Sequence, residues 1–408
     1  MSKNIGRDSR EYSTDTSKIN RVICVMSYQS SASSLMTSLL DFHPNIISTP
    51  DDVLGGFHDF WYEMGHLNRK DLINKFIESY AMLFDARLKN SGNVYSGEIL
   101  GFTKLGPNRD ELLYVDKEKF KNSMKKLIVK KTQVSRKLFF QSLHIAYAEA
   151  LGRKINNPII VFGLHNTYAP ERLKILLEDF KDVKFIQMVR NPVRVVASRF
   201  RWQSRIGKDV LRGFGRAIIN ASKGGVSDPT TPPSNWRAIR MEDLHLHSEK
   251  TIKKICNWLN LPWNDSLLSS TVNGKKWWNL KGGIQVSGFS PAIASQTFEE
   301  FLPFFDRLRL SILLSRKCES WNYEVIPFSK NLIIRLLVVP FLLIPFKMEF
   351  MSVPSSIQNF HRNKDKSLVM RILFFLWEIT SGFLRVRVAL IQVWLLSFKK
   401  NTREVRLI

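Results

Sequence analysis

The stretch RVICVMSYQSSASSLMTSLL, Arg21 to Leu40, decides how the chain is read. A five-residue apolar run, VICVM, rich in β-branched residues, turns without a break into a serine-rich segment and then into residues of helical period. A strand that feeds a helix through a short polar turn leaves free N–H groups at the helix N-terminus, and these bind anions. The turn is therefore either a phosphate cradle built without the usual glycine and lysine, or a plain serine-rich turn. A cradle needs backbone N–H groups plus hydroxyl donors, which Ser31, Ser33 and Ser34 supply with a helix starting near Leu35. Ala32, standing where a glycine would be usual, fits if its φ is negative or only mildly strained.

Working outward, apolar runs recur as NPIIVFG (Asn157–Gly163) and DVKFIQMVR (Asp182–Arg190), separated by stretches of helical period such as RLKILLEDF (Arg172–Phe180). This alternation predicts an α/β fold: a P-loop-like parallel sheet flanked by helices. From Arg201 to Lys330 the texture is mixed, with a Pro-rich loop at Ser227–Asn235 and a Gly/Lys/Trp segment, GKKWWNLKGG, at Gly274–Gly283. Beyond Asn331 long apolar runs alternate with basic residues. The predicted divisions are a disordered N-terminus (1–20), one α/β domain (21–330) and a basic, amphipathic, membrane-binding C-terminal region (331–408).

With 408 residues and 44% hydrophobic content the chain has material for one large core or two modest ones. The 61 Lys+Arg against 36 Asp+Glu leave a net charge of +25, which favours anionic partners: a nucleotide, an anionic lipid surface or nucleic acid. Three cysteines without CxxC spacing point to neither a disulfide framework nor a zinc site. The polar N-terminus, with no apolar core, predicts no signal peptide and hence a cytoplasmic protein.

The C-terminal runs differ from each other. IIRLLVVPFLLIPF (Ile333–Phe346) is short for a bilayer and is interrupted by Arg335, Pro340 and Pro345. The run Ser367–Phe398 is long enough, yet Arg371, Glu378 and Arg385 recur every seven residues, with Lys364, Gln392 and Lys399 extending the series. Seven residues is nearly two helical turns, so these groups form one polar stripe opposite a Leu/Phe/Trp/Val face. Such a helix lies in a membrane interface or packs on the protein's own core. The basic flank HRNKDK (His361–Lys366) favours the interface and an anionic surface.

The segment FIQMVRNPVRVVASRF (Phe185–Phe200) places Arg190 at a strand end, Pro192 at a helix start and Ser198 eight residues on. Arginine forks onto phosphate, and proline is pre-organised in a helix's first turn. From spacing alone an ordinary strand–turn–helix with solvated arginines reads equally well.

Arg190-Asn191-Pro192 with Ser198 resembles the 3′-phosphate-binding segment of sulfotransferases that use 3′-phosphoadenosine 5′-phosphosulfate (PAPS). Upstream, VICVMSYQSSASSLMTSLLDFHP is similar to that family's 5′-phosphosulfate loop. Ser31, Ser33, Ser34, Asp41, His43 and Pro44 match its pattern, Ser30 stands at the basic position and Ala32 at the glycine position. Downstream, NWRAIRMEDL (Asn235–Leu244) resembles the family's W-x-x-(I/V)-R-Y-E-D-L segment, with Met241 for tyrosine. GKKWWN and SRKCESWNYEV resemble its later part. The resemblance runs from Arg21 to about Val325 and is order-preserving.

It implies a sulfotransferase, which the polar N-terminus and the basic C-terminal region would place in the cytoplasm, peripheral on the inner face of a membrane. PAPS would be its donor and no metal its cofactor. A hydroxyl of a carbohydrate, glycolipid or lipid-linked compound would be its acceptor, with no nucleic acid involved. Donor binding would fall to Ser30, Ser31, Ala32, Ser33, Ser34, Arg190 and Ser198. Because Ser30 is neutral, either another cation serves the loop, with Lys275, Lys276 and Lys281 as candidates, or the protein is slow or inactive. The base for the acceptor would be His165, or else Asp51 or Asp52. The aromatics around His58 either line an acceptor cleft or pack as core. The alternative is a catalytically degenerate protein of the same fold, acting as a membrane-bound nucleotide- or partner-binding module. A P-loop kinase is disfavoured because GxxxxGK[ST] is lacking.

Overall fold

A computed structural model describes residues 16, 19–50, 53–91, 96–128, 133–155, 157–164, 170–206, 210–279, 285–351, 353–362, 365, 367–398 and 403–408. Five strands form one parallel sheet: β1 (Arg21–Ser27), β2 (Ile46–Ser48), β3 (Ile159–Leu164), β4 (Asp182–Val189) and β5 (Trp236–Arg240), in the order β2-β3-β1-β4-β5. Val22 lies opposite Ile160 on one side of β1, and Ser27 opposite Met188 on the other. The strands are apolar on both faces because both faces are covered by helices. Along β1, Val22, Cys24 and Met26 enter the larger core while Ile23 and Val25 enter the smaller one.

The smaller core lies under helix Ser33–Leu40 and helix Ser248–Leu259, through Leu35, Met36, Leu39, Ile252 and Ile255. The larger core takes helix Pro192–Ile206, through Val195, Val196 and Phe200, and an aromatic cluster around Phe57, Phe76, Phe139 and Phe140. The two helices that leave β1 and β4 therefore lie on opposite faces. From β1 the chain crosses toward β2, and from β4 toward β5, so the crevice between β1 and β4 is the switch point of the sheet. Open α/β sheets bind their ligands at that place.

Residues beyond 330 do not stand apart. Val338, Leu342, Phe346, Met348, Val386, Leu390 and Val393 belong to the same large core as the sheet. The boundary drawn at residue 330 is thus a change of composition and not of packing. Helix Leu368–Leu396 packs its inward stripe, Gly382, Val386, Ala389, Leu390 and Val393, on helix Val210–Lys223. The last residues run along the free edge of β5: Ala238 N–H donates to the Arg406 carbonyl at 2.7 Å, and Ile408 N–H to that of Ala238 at 3.1 Å. Cys24, Cys256 and Cys318 are buried free thiols. The prediction for residues 1–20 falls mostly outside the described residues. Ile19 is fully buried, and its carbonyl accepts from the Gln141 amide.

Candidate functional site

The turn after β1 is stitched to the end of β4. Tyr28 N–H donates to the Met188 carbonyl at 3.0 Å and also meets Ser31 Oγ at 3.0 Å, while the Ser31 hydroxyl donates to Met188 at 2.9 Å. Ser31 is therefore spent on holding the loop. The backbone is unusual for residues with side chains: Gln29, Ser30 and Ala32 all have positive φ, 44°, 44° and 64°. Ala32 is the residue before helix Ser33–Leu40 and sits squarely in the left-handed region, which costs about 1 kcal/mol in a residue with a Cβ. The expectation that Ala32 would keep a negative or mildly strained φ is corrected: the loop keeps a glycine-type conformation without the glycine. The first-turn N–H groups of that helix, from Ser33 and Ser34, open toward the loop. Ser33 is buried, Ser34 half-buried and Ser30 exposed.

Arg190 follows β4 and is only 4% exposed. Its Nη1 reaches the Ser30 carbonyl at 3.4 Å, while Nε and Nη2 are buried with no protein partner. Burial, reinforced by the nearby Arg194 and Arg201 and opposed by Glu242, pulls the guanidinium down to about 10. A buried cation with donors unspent, beside a helix N-terminus, is built to receive an anion. Asn191 caps the helix that follows, its Oδ1 accepting from Val193 and Arg194 N–H.

On that helix Arg194, Ser198 and Arg201 stand at i, i+4 and i+7, and so share a face. Ser198 is half-buried there. Arg194 donates to the Ala294 carbonyl at 2.7 Å, and Arg201 bonds the Gln296 amide. The Phe298 ring packs against both Arg190, at 5.1 Å, and Arg201, at 5.2 Å. The segment 294–298 thus covers the arginine cluster. Glu242 accepts from Asn191 N–H and from the Tyr323 hydroxyl. His245 Nδ1 accepts from Ser290 N–H at 3.0 Å, and burial together with Arg190 lowers the imidazole to about 4. Sequence reading missed Arg194, Arg201, Phe298 and His245. The i, i+4, i+7 spacing with Ser198 was a signal for the arginines; Phe298 carried none.

Lys275 and Lys276 form β7, which pairs with β6 (Thr271–Val272) in a hairpin. That hairpin is fastened at the far end of helix Ser33–Leu40, about 12 Å from the loop at 1.5 Å per residue. Buried Asp41 accepts there from Gly274 N–H at 2.9 Å and from Thr271 Oγ1 at 3.0 Å. Lys275 pairs with Glu111 at 2.9 Å and Lys276 lies over the Trp278 ring, so neither is brought to the loop. Asp51, Asp52, His165 and Lys281 lie outside the described residues. His58 is core, packed against Phe57 and Phe162, and burial drops it to about 4. Among the described residues no cluster of three His, Cys, Asp or Glu is placed to hold a metal.

The family model described as "Sulfotransferase family" matches residues 23–265. Among solved structures, the sulfotransferase domain of the Synechococcus PCC 7002 olefin synthase is 17% identical, the match covering 76% of this chain and 96% of that one with a TM-score of 0.38. The sulfotransferase domain from the curacin biosynthetic pathway is 19% identical over 76% of this chain and 99% of that one, with a TM-score of 0.39. A sulfotransferase from Mycobacterium tuberculosis H37Rv is 14% identical over 69% and 75%, with a TM-score of 0.31. No curated protein matches the chain.

Proposed function

The chain belongs to the sulfotransferase family, and from that premise we propose that it binds PAPS at the β1–β4 crevice and serves sulfuryl transfer to a hydroxyl at a membrane surface. The observation that carries the reading is Arg190, a buried guanidinium with Nε and Nη2 unspent at the switch point of the sheet. PAPS supplies the sulfuryl group when bound. Arg190 and Ser198 would hold its 3′-phosphate, with Arg194 and Arg201 adding positive potential on the same helix face. The first-turn N–H groups at Ser33 and Ser34 would hold the 5′ end, on a loop that Ser31 keeps pinned to β4. Glu242 fixes Asn191 and thereby the start of the helix that carries Ser198. The acceptor is a hydroxyl of a saccharide, glycolipid or lipid-linked compound, with His165, or Asp51 or Asp52, as its base.

Neutral Ser30 favours a second reading: donor binding without turnover. Calorimetric titration with adenosine 3′,5′-bisphosphate tests the shared premise. Micromolar binding that falls at least a hundredfold in Arg190→Ala is expected, since removing a buried bidentate phosphate contact costs about 3 kcal/mol. Absence of binding by the folded wild type would refute both readings. Release of labelled sulfate from PAPS onto an acceptor then separates catalysis from binding alone.

Membrane association on a cytoplasmic face is supported by the outer side of helix Leu368–Leu396 and of the segment before it. Leu368, Val369, Leu373, Leu376 and Trp377 are exposed, as are Leu332, Leu336, Leu337, Leu343 and Ile344. An apolar face of this extent on a protein of net charge +25 suits an anionic interface.

A further inference from the structure

We propose that the cleft between helix Pro192–Ile206 and helix Phe304–Leu313 is a headgroup site for an anionic phospholipid, the lipid's phosphate lying between Arg194 and Arg307. The inference rests on the interfacial reading of the C-terminal surface; the cleft shares Arg194 and Phe298 with the donor site, so its test is carried by Arg307, which the donor site does not use. The cleft is open to solvent and has a volume of about 220 Å³. Its polar lining includes Arg194, Arg307 and Ser311, its apolar lining Phe298 and Leu302, and Glu324 is the one carboxylate on it. Glu299, paired with Arg307 from beside the lining, balances the charge as the cleft stands, so a phosphate that replaces Glu299 would meet two guanidiniums beside an apolar wall, which is the chemistry of a phosphate ester attached to a hydrocarbon chain.

The position of the cleft adds the second half. Phe304, Arg307 and Ser311 stand at i, i+3 and i+7 on one face of their helix, so the cleft's rim carries Phe304, which is 71% exposed. Phe305, beside it, meets Phe341 edge-on at 6.0 Å. Phe341 leads into exposed Leu343 and Ile344, and the Leu343 carbonyl accepts from Arg387 of helix Leu368–Leu396. The exposed apolar residues of segment 341–344 thus lie between the long helix and the helix that carries the mouth of the cleft. Arg307 is held by Glu299 at 3.2 Å in an exposed pair, weak enough for a phosphate to replace.

The test is co-sedimentation of the full chain with phosphatidylcholine vesicles, with and without phosphatidic acid, for wild type, Arg307→Gln and Arg307→Glu. Lys250→Gln, an exposed charge on helix Ser248–Leu259, is the control. The wild type is expected to prefer the acidic vesicles. That preference should fall about fivefold in Arg307→Gln and further in Arg307→Glu, with Lys250→Gln unchanged. Equal losses for Arg307→Gln and Lys250→Gln would overturn the cleft and leave only diffuse charge. Failure of the wild type to bind any vesicle would overturn the interfacial reading itself. Calorimetry with inorganic phosphate separates the sources of the anion: tight binding of phosphate alone, lost in Arg307→Gln, would assign the cleft to a free anion and overturn the lipid.

Discussion

Ala32 carries the price of a loop without glycine. Its φ of 64° is one that glycine adopts freely and alanine does not. Ala32→Gly is expected to change stability by only a few tenths to about 1 kcal/mol in the favourable direction, strain relief exceeding the extra entropy of the unfolded glycine. Urea unfolding measures it, and adenosine 3′,5′-bisphosphate binding should be retained because the loop keeps its shape. The buried histidines make a second residue-scale prediction. His144 is fully buried, its Nδ1–H donating to the Phe140 carbonyl at 2.8 Å, and burial lowers it to about 4. Its folded pKa lies below the unfolded value near 6.5, so its neutral form stabilises the fold above pH 6.5 and that stability is lost as pH falls toward 4. His144→Phe should therefore gain on the wild type by at most about 1.4 kcal/mol per pH unit between pH 6.5 and 4. Unfolding at pH 7, 6 and 5 gives the slope; parallel curves would remove His144 as a contributor.

At the scale of elements, helix Leu368–Leu396 has two jobs. Its C-terminal half is core: Leu390 is fully buried, and Gly215 of helix Val210–Lys223 lies so close that a Cβ there would meet Ala389 Cβ at 3.5 Å. That is ordinary contact, so Gly215→Ala should be neutral or stabilising by up to about 1 kcal/mol, as expected of glycine in a helix interior. Leu390→Ala should cost about 2–5 kcal/mol. The N-terminal half turns its polar stripe inward. Arg371 Nε donates to the Phe360 carbonyl at 3.0 Å and Ser356 reaches Glu378, both on helix Val353–Arg362, while Trp377 is 66% exposed. Leu373→Ser with Trp377→Ser should leave the unfolding midpoint almost unchanged and weaken vesicle binding about tenfold or more, since two buried apolar side chains are withdrawn from the interface. A double variant that binds vesicles as the wild type does would mean that this face is not the one inserted.

For the whole molecule, the C-terminal residues close a loop in the structure. Residues 403–408 cover the β5 edge. Glu404 pairs with buried Lys317 at 2.9 Å, and the Val405 carbonyl accepts from Trp321 Nε1. Removing 403–408 strands a buried ammonium and bares a sheet edge, so a loss of about 3–5 kcal/mol and concentration-dependent aggregation are expected. Thermal unfolding and light scattering of the truncated chain measure both. A truncated protein that melts with the wild type and stays monodisperse would make the tail an ornament.

Much was determined by the sequence itself. The strands Arg21–Ser27, Ile159–Leu164 and Asp182–Val189 could be read from runs too apolar to face water on either side, and so could the place of Arg190 at a strand end and of Ser198 on the helix that follows. The heptad spacing of Arg371, Glu378 and Arg385 marked a polar stripe because local periodicity survives folding. Tertiary structure alone decided the rest. That Arg190 is buried with unspent nitrogens depends on Phe298, more than a hundred residues away. That Lys275 is taken by Glu111 depends on where a hairpin docks. Whether the polar stripe faced water or protein had no local signal at all: an amphipathic helix states that its faces differ, and only the neighbours it meets determine which one is inside.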